Sequence, residues 1–323
     1  MKTPLKSART NAALAMLAAV ALLAAPAGAA DSPAPTKAGH VHLQGSYASP
    51  QEAAKSLADA MRSDENRQIW RVLGPGAGKL IHSGDPVQDE RARKAFIAAY
   101  DQSVKFDRSD DGRVTLLIGP DDFPFPYPLV TKDDRWQFDA KQGDEHVLNR
   151  RIGHNELSAI KVCLAYVDAQ REYATTERSG NGLLEYAQKL TSSPGERDGL
   201  YWETKDDEPA SPLGPLIAHA RSQGYSQQSP DAAPYHGYYY KILTGQGKDA
   251  PGGAYDYIVN GKMIGGFALV AYPARWGRSG VMTFLCSHEG VVYEKNLGSQ
   301  TVATASKMTQ FDPDASWAKS KDQ

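Results

Sequence analysis

Apolar positions in the first third of the chain recur at helical spacing and then switch to strand-like runs. Ser49-Pro50 opens a helix: Ser49 can cap it, Pro50 suits its first position and Glu52 can reach back to the capping end. Ala53, Leu57, Ala60 and Met61 then mark a buried stripe. The spacing predicts a second helical piece over 68–73, stopped by Gly74-Pro75-Gly76, and a third after Asp85-Pro86, with Ala92, Phe96, Ala99 and Tyr100 on one face. Short β-type runs follow at 114–118, 129–131 and 136–138, the last two joined through Lys132-Asp133-Asp134 as a hairpin. The proline-rich run 123–128 is excluded from a central strand and reads as an extended edge or loop, because proline cannot donate to a ladder.

The second half opens on a long amphipathic pattern. Leu157, Ile160, Leu164 and Val167 recur at helical spacing, and Val162, Cys163 and Tyr166 widen the stripe as a helix laid on a sheet requires. His154-Asn155-Glu156 is expected at its start, near the cap. Short helices are expected over 183–190 and 215–222, with a loop over 198–215. An antiparallel meander of about four strands comes last, over 238–243, 265–272, 281–286 and 291–295. Alternation places Tyr238, Tyr240 and Ile242 on one face of its first strand. The predicted class is α+β, with a small helix-plus-antiparallel-sheet domain over 47–143 and a helix-on-meander domain over 144–323.

The N-terminus predicts export. Lys2, Lys6 and Arg9 precede a small apolar run over 11–25, and Ala27-Gly28-Ala29 offers a cleavage site. Residues 1–29 are thus expected to be a signal peptide and 30–46 a flexible linker. No later segment is apolar enough to span a bilayer, so the mature protein is expected to be periplasmic or secreted. The chain holds 36 Lys+Arg and 38 Asp+Glu; removing the three basic residues of the signal leaves 36 − 3 = 33, a net of 33 − 38 = −5. A mildly acidic chain without a basic run carries no electrostatic footprint for nucleic acid. Cys163 and Cys286 are the two cysteines. They are a candidate disulfide if the helix meets the sheet, the alternative being two buried thiols.

Catalytic chemistry is sparse. His236, between Tyr235 and Gly237, is the best single candidate, with Asp249, Asp256 and Tyr257 expected to fold over it through Pro251-Gly252-Gly253. A His236/Asp256 pair could do general acid–base work, but no nucleophile or oxyanion set accompanies it. The alternative is a histidine that holds a glycine-rich loop. Cys286-Ser287-His288 reads as a strand end and turn. There is no H-E-x-x-H or C-x-x-C, so neither a metal nor another cofactor is expected. Tyr239 and Tyr257, with His236, are candidate ligand contacts within a tyrosine-rich region, packing between helix and sheet being the alternative.

Two resemblances rest on particular residues. The run 152–190, with 237–243 and Glu289-Gly290-Val291-Val292-Tyr293, is similar to the helix and strands of pilin-like and pseudopilin-like domains. Pilins keep an apolar half-helix at the extreme N-terminus, whereas here the helix follows a polar domain. The chain also resembles an uncharacterised exported bacterial family, domain of unknown function 2950. It does so through Asp85-Pro86, Trp136-Gln137-Phe138-Asp139, residues 151–157, His236-Gly237-Tyr238-Tyr239, Pro251-Gly252-Gly253-Ala254 and Leu297-Gly298. That resemblance implies fold and export and brings no activity. The expected function is a non-catalytic envelope protein that binds or scaffolds a partner, an envelope protein or a glycan. The alternatives are an envelope hydrolase using His236 and Asp256, and an accessory of a secretion or pilus-like system.

Overall fold

The computed structural model describes residues 44–322 apart from 179, 181, 206 and 227–232. The expected signal peptide and nearly all of the expected linker lie outside the described residues. The described residues form one compact unit with two hydrophobic cores.

The first core is built by helices α1 (Pro50–Arg62), α2 (Asn66–Leu73), α3 (Gly78–Ile81) and α4 (Pro86–Gln102), packed on an antiparallel sheet. Ser49 caps α1 by accepting from the Glu52 amide at 3.1 Å, and the Glu52 carboxylate accepts from Ala48 in return at 2.8 Å. The sheet runs β1 (Val104–Arg108), β2 (Val114–Ile118), β4 (Leu129–Lys132), β5 (Arg135–Phe138), with β3 (Phe123–Pro124) on the side of β2. The proline-rich run thus lies at a sheet margin. Asp133 and Asp134, both at positive φ, turn β4 into β5. Strand β1 was missed in the sequence: Val104 and Phe106 do alternate with Lys105 and Asp107, but two half-buried apolar residues make too short a run to stand out.

Helix α5 (Ala140–Tyr173) is 34 residues long and crosses both halves without a break, so residue 144 lies inside it. His154 and Asn155 are therefore mid-helix, and the cap is Asp139, which accepts from the amides of Lys141 and Gln142. The start was misplaced because the turns from 140 to 154 are largely polar and show no stripe. From Ala159 onward α5 buries Ile160, Cys163, Tyr166, Val167 and Tyr173 in the second core. Residues 183–190 are not helical. Their backbone bonds elsewhere, Tyr186 donating to Met263 and Ala187 exchanging two 2.8 Å bonds with the buried Gln170 side chain. Tertiary partners here outweigh a weak local propensity.

After α6 (Gly214–Ser222) comes the C-terminal antiparallel sheet. Its strands are β6 (Tyr238–Leu243), then β11 (Ala268–Pro273), β12 (Met282–Ser287), β13 (Val292–Asn296) and the short β15 (Ala318–Lys319). Between β6 and β11 sit β7 (Gly245–Gln246), β8 (Tyr255–Asp256), β9 (Ile258–Val259) and β10 (Lys262–Met263). Helix α7 (Thr301–Ala305) and β14 (Gln310–Phe311) lie between β13 and β15, β14 pairing with β7. Tyr238 and Tyr240 are buried, but Ile242 of the same face is half-buried and Leu243 of the opposite face is fully buried. Helix α5 rests on β11 and β12. Cys163 and Cys286 meet at that contact as free, fully buried thiols, the Cys286 sulfur 3.7 Å from the Cys163 carbonyl. Burial pushes the Cys286 thiol well up, with Cys163 beside it.

Candidate functional site

The residues singled out at Asp85, Asn155, Glu156 and His236-Gly237 converge where α4, α5 and β6 meet. Asp85 is fully buried and caps α4, one oxygen accepting from the Val87 and Gln88 amides at 3.1 Å each. Its other oxygen accepts from the Tyr225 hydroxyl at 2.6 Å and the Gly237 amide at 2.9 Å. Four donors therefore tie one carboxylate to both halves of the protein. Gln88 donates to Asn155 Oδ1 at 2.8 Å, and Asn155 Nδ2 donates to the Ser279 carbonyl at 2.9 Å. Glu156 accepts from the Val281 and Met282 amides at 2.9 and 3.0 Å. Arg151 donates to the Leu80 carbonyl at 3.0 Å.

Gly237 has φ 71°. A Cβ there would stand 2.7 Å from Asn155 Nδ2 and 2.8 Å from Ser279 Cβ, so both the backbone angle and the space demand glycine. His236 is also left-handed, at φ 48°. It is buried among Tyr225, Tyr235 and His154, with ring centroids 5.7, 4.3 and 5.5 Å away. Its Nδ1 has no hydrogen-bond partner among the described residues. Burial first, then His154, Arg91 and His219, pull its pKa down to about 4. A neutral imidazole wedged between aromatic rings is a packing element of this junction.

The structure separates the residues proposed to act with His236. Asp256 lies in β8, paired with Gly245, at the far end of β6. The six residues of β6 alone span roughly 20 Å. The loop carrying Asp249, Asp256 and Tyr257 thus folds away from His236, because β7 continues β6 and holds β8 beside it. Tyr257 is fully buried and donates to Gln246 Oε1 at 3.0 Å. Tyr239 is half-buried against Tyr272, centroids 5.7 Å apart. Trp276 is partly exposed and donates to Asn296 at 2.9 Å. Among the described residues no group of three or more His, Cys, Asp or Glu side chains could hold a metal. Nor is any helix among them long and apolar enough to cross a membrane.

Beside the junction lies a feature that sequence reasoning missed. A cleft of about 390 Å³ runs beneath α6, bounded by Val162, Leu213, Leu216, Ile217, Tyr235 and Tyr240. Asp85 borders it, but its oxygens are engaged as described. The volume falls within the range of small-ligand sites, and its walls are mostly apolar with few polar groups, as such sites are. Its walls come from α5, α6, β6 and the 233–235 segment, so no single stretch of sequence announces it. The one local signal is α6 itself, which leaves Leu216 and Ile217 half-buried. A second apolar cleft, about 360 Å³, lies in the N-terminal half under α4, against Ile81, Ile118 and Phe125. Phe96 is the sole side chain of α4 that is fully buried among those described.

Comparison with known proteins bears on this picture. Residues 44–320 match the model of a protein family of unknown function, DUF2950, and the chain belongs to that family. No curated protein and no solved structure matches it.

Proposed function

We propose that the protein is a non-catalytic, exported binding protein that receives an apolar group in the cleft beneath α6. The observation that carries this reading is the pairing of an open apolar cleft with an adjoining polar cluster whose hydrogen-bonding groups are mostly consumed internally. Such a site can exclude water and hold an aliphatic or aromatic moiety, and it offers no free nucleophile beside a base. The hydrolase alternative draws no support from the positions of His236 and Asp256. The secretion-accessory alternative rests on the pilin resemblance alone.

Export enters the proposal through the basic, apolar and A-x-A pattern of residues 2–29. Sequencing the N-terminus of the protein recovered from its native host tests it: a start near Ala30 is expected, and an intact Met1 removes export from the proposal. The cleft is tested with N-phenyl-1-naphthylamine fluorescence. The native chain should bind the dye, and Leu216→Trp, which fills the cleft, should weaken binding by about tenfold or more, a loss of ~1.4 kcal/mol. Equal binding by a Leu216→Trp protein with native circular dichroism would remove this cleft as the site.

A further inference from the structure

The apolar cleft does not end at α6. A polar cleft of about 620 Å³ adjoins it, and Ile217, Ala220 and Ser226 line both. The polar space is bordered by Ser192, Ser193, Arg197, Trp202, Glu203 and Glu208. The Arg178 and Arg197 guanidiniums stack on the Trp202 ring at 5.6 and 5.5 Å, which fixes the indole in place. The Trp202 N–H is buried and has no hydrogen-bond partner among the described residues. The Ser192 and Ser193 hydroxyls donate to the Gly199 carbonyl and the Asp198 carboxylate and each accept one bond, which leaves one acceptor lone pair apiece, and the Arg197–Glu208 pair, at 3.2 Å, adds further donors and an acceptor.

The charge on this wall selects among ligands. Glu196, Glu203 and Glu208 oppose a phosphate, sulfate or carboxylate, while Arg197 and Lys205 oppose an ammonium group. A hydroxyl group donates and accepts at once and brings no charge, so a polyol suits a wall of mixed sign. We propose that the two adjoining clefts hold one amphiphile, its aliphatic part beneath α6 and an uncharged, hydroxyl-rich glycosyl head against Trp202 and the serines. This rests on the binding reading of the apolar cleft and adds the class of ligand.

Calorimetry on the full chain with n-octyl β-D-glucoside, 1-octanol, octanoate and octylamine tests it. The glucoside should bind about tenfold more tightly than octanol, a difference of ~1.4 kcal/mol, and the two charged compounds should bind no better than octanol. Trp202→Phe keeps the arginine stacking and removes the N–H; it should weaken the glucoside several-fold and leave octanol unchanged. Ser226→Trp, an exposed position on the shared lip, should weaken the glucoside with the fold intact by circular dichroism. Octanol binding as tightly as the glucoside, tighter binding of either charged compound, or equal losses for both ligands in Trp202→Phe would overturn the glycosyl head and leave the apolar cleft standing. Absence of binding by every alkyl compound would overturn the apolar cleft as well.

Discussion

The junction at Asp85 and the cleft beneath α6 share residues yet are opposites in their chemistry. At the junction, the Asp85 oxygens, Asn155 Oδ1 and Nδ2 and Glu156 Oε1 meet partners at 2.6–3.1 Å, His236 Nδ1 and Gln88 Oε1 have none among the described residues, and there is no spare volume at Gly237. In the clefts, space remains, and the Trp202 N–H has no partner among the described residues. The difference separates two reasons for keeping a residue. A largely satisfied buried network specifies how the halves of the chain dock, while an unfilled cleft lined by mostly apolar groups is available to something else. The motif residues noticed first in the sequence belong to the former kind.

Three measurements would break or sharpen that contrast. The largest effect is expected from Asp85→Ala, which strips the α4 cap and strands the Tyr225 hydroxyl and the Gly237 amide. A loss of about 3 kcal/mol or more in denaturant unfolding is expected; a loss under about 1 kcal/mol would mean the junction is not a structural tether.

Next is pH. The folded-state pKa of His236 is about 4, below its ordinary value of 6.5, so the unfolded chain binds the extra proton first. This contribution to stability is present above pH 6.5 and declines as pH falls from 6.5 toward 4, by up to about 3 kcal/mol. His154, Arg91 and His219 act on the same ring and set the direction together with burial. Unfolding midpoints measured across that window should show the decline, and His236→Gln should flatten it; an unchanged slope in the variant would contradict a buried neutral imidazole.

The smallest effect is expected at Asp256, an exposed strand residue remote from the junction. Asp256→Asn should alter both stability and dye binding within about 0.5 kcal/mol. A large loss of binding there would move the site to the other end of β6 and revive its pairing with His236.

Legibility varied with the kind of signal. Helix α1 was readable because Ser49, Pro50, Glu52 and the Ala53–Met61 stripe agree at every level. The β4–β5 hairpin was readable from Lys132-Asp133-Asp134 between two strand runs. Helix α5 was half readable, since its apolar stripe starts only where it enters the second core. Asn155 extends that stripe backward at i−4 from Ala159, and a polar residue on a buried face was the available clue to the junction. The extended 183–190 segment was misread because Gln170, a distant side chain, supplies its hydrogen bonds.

Short-range pattern alone determined the α+β class, the starts of α1 and α4 and the β4–β5 turn, because each depends on neighbours within a few residues and on backbone periodicity. Tertiary structure decided that Asp85, Asn155 and His236-Gly237 meet, that Asp256 does not join them, and that α6 roofs a cleft. Those outcomes depend on contacts between residues up to about 150 positions apart, such as Asp85 with Gly237, and periodicity carries no information about which distant surfaces come together.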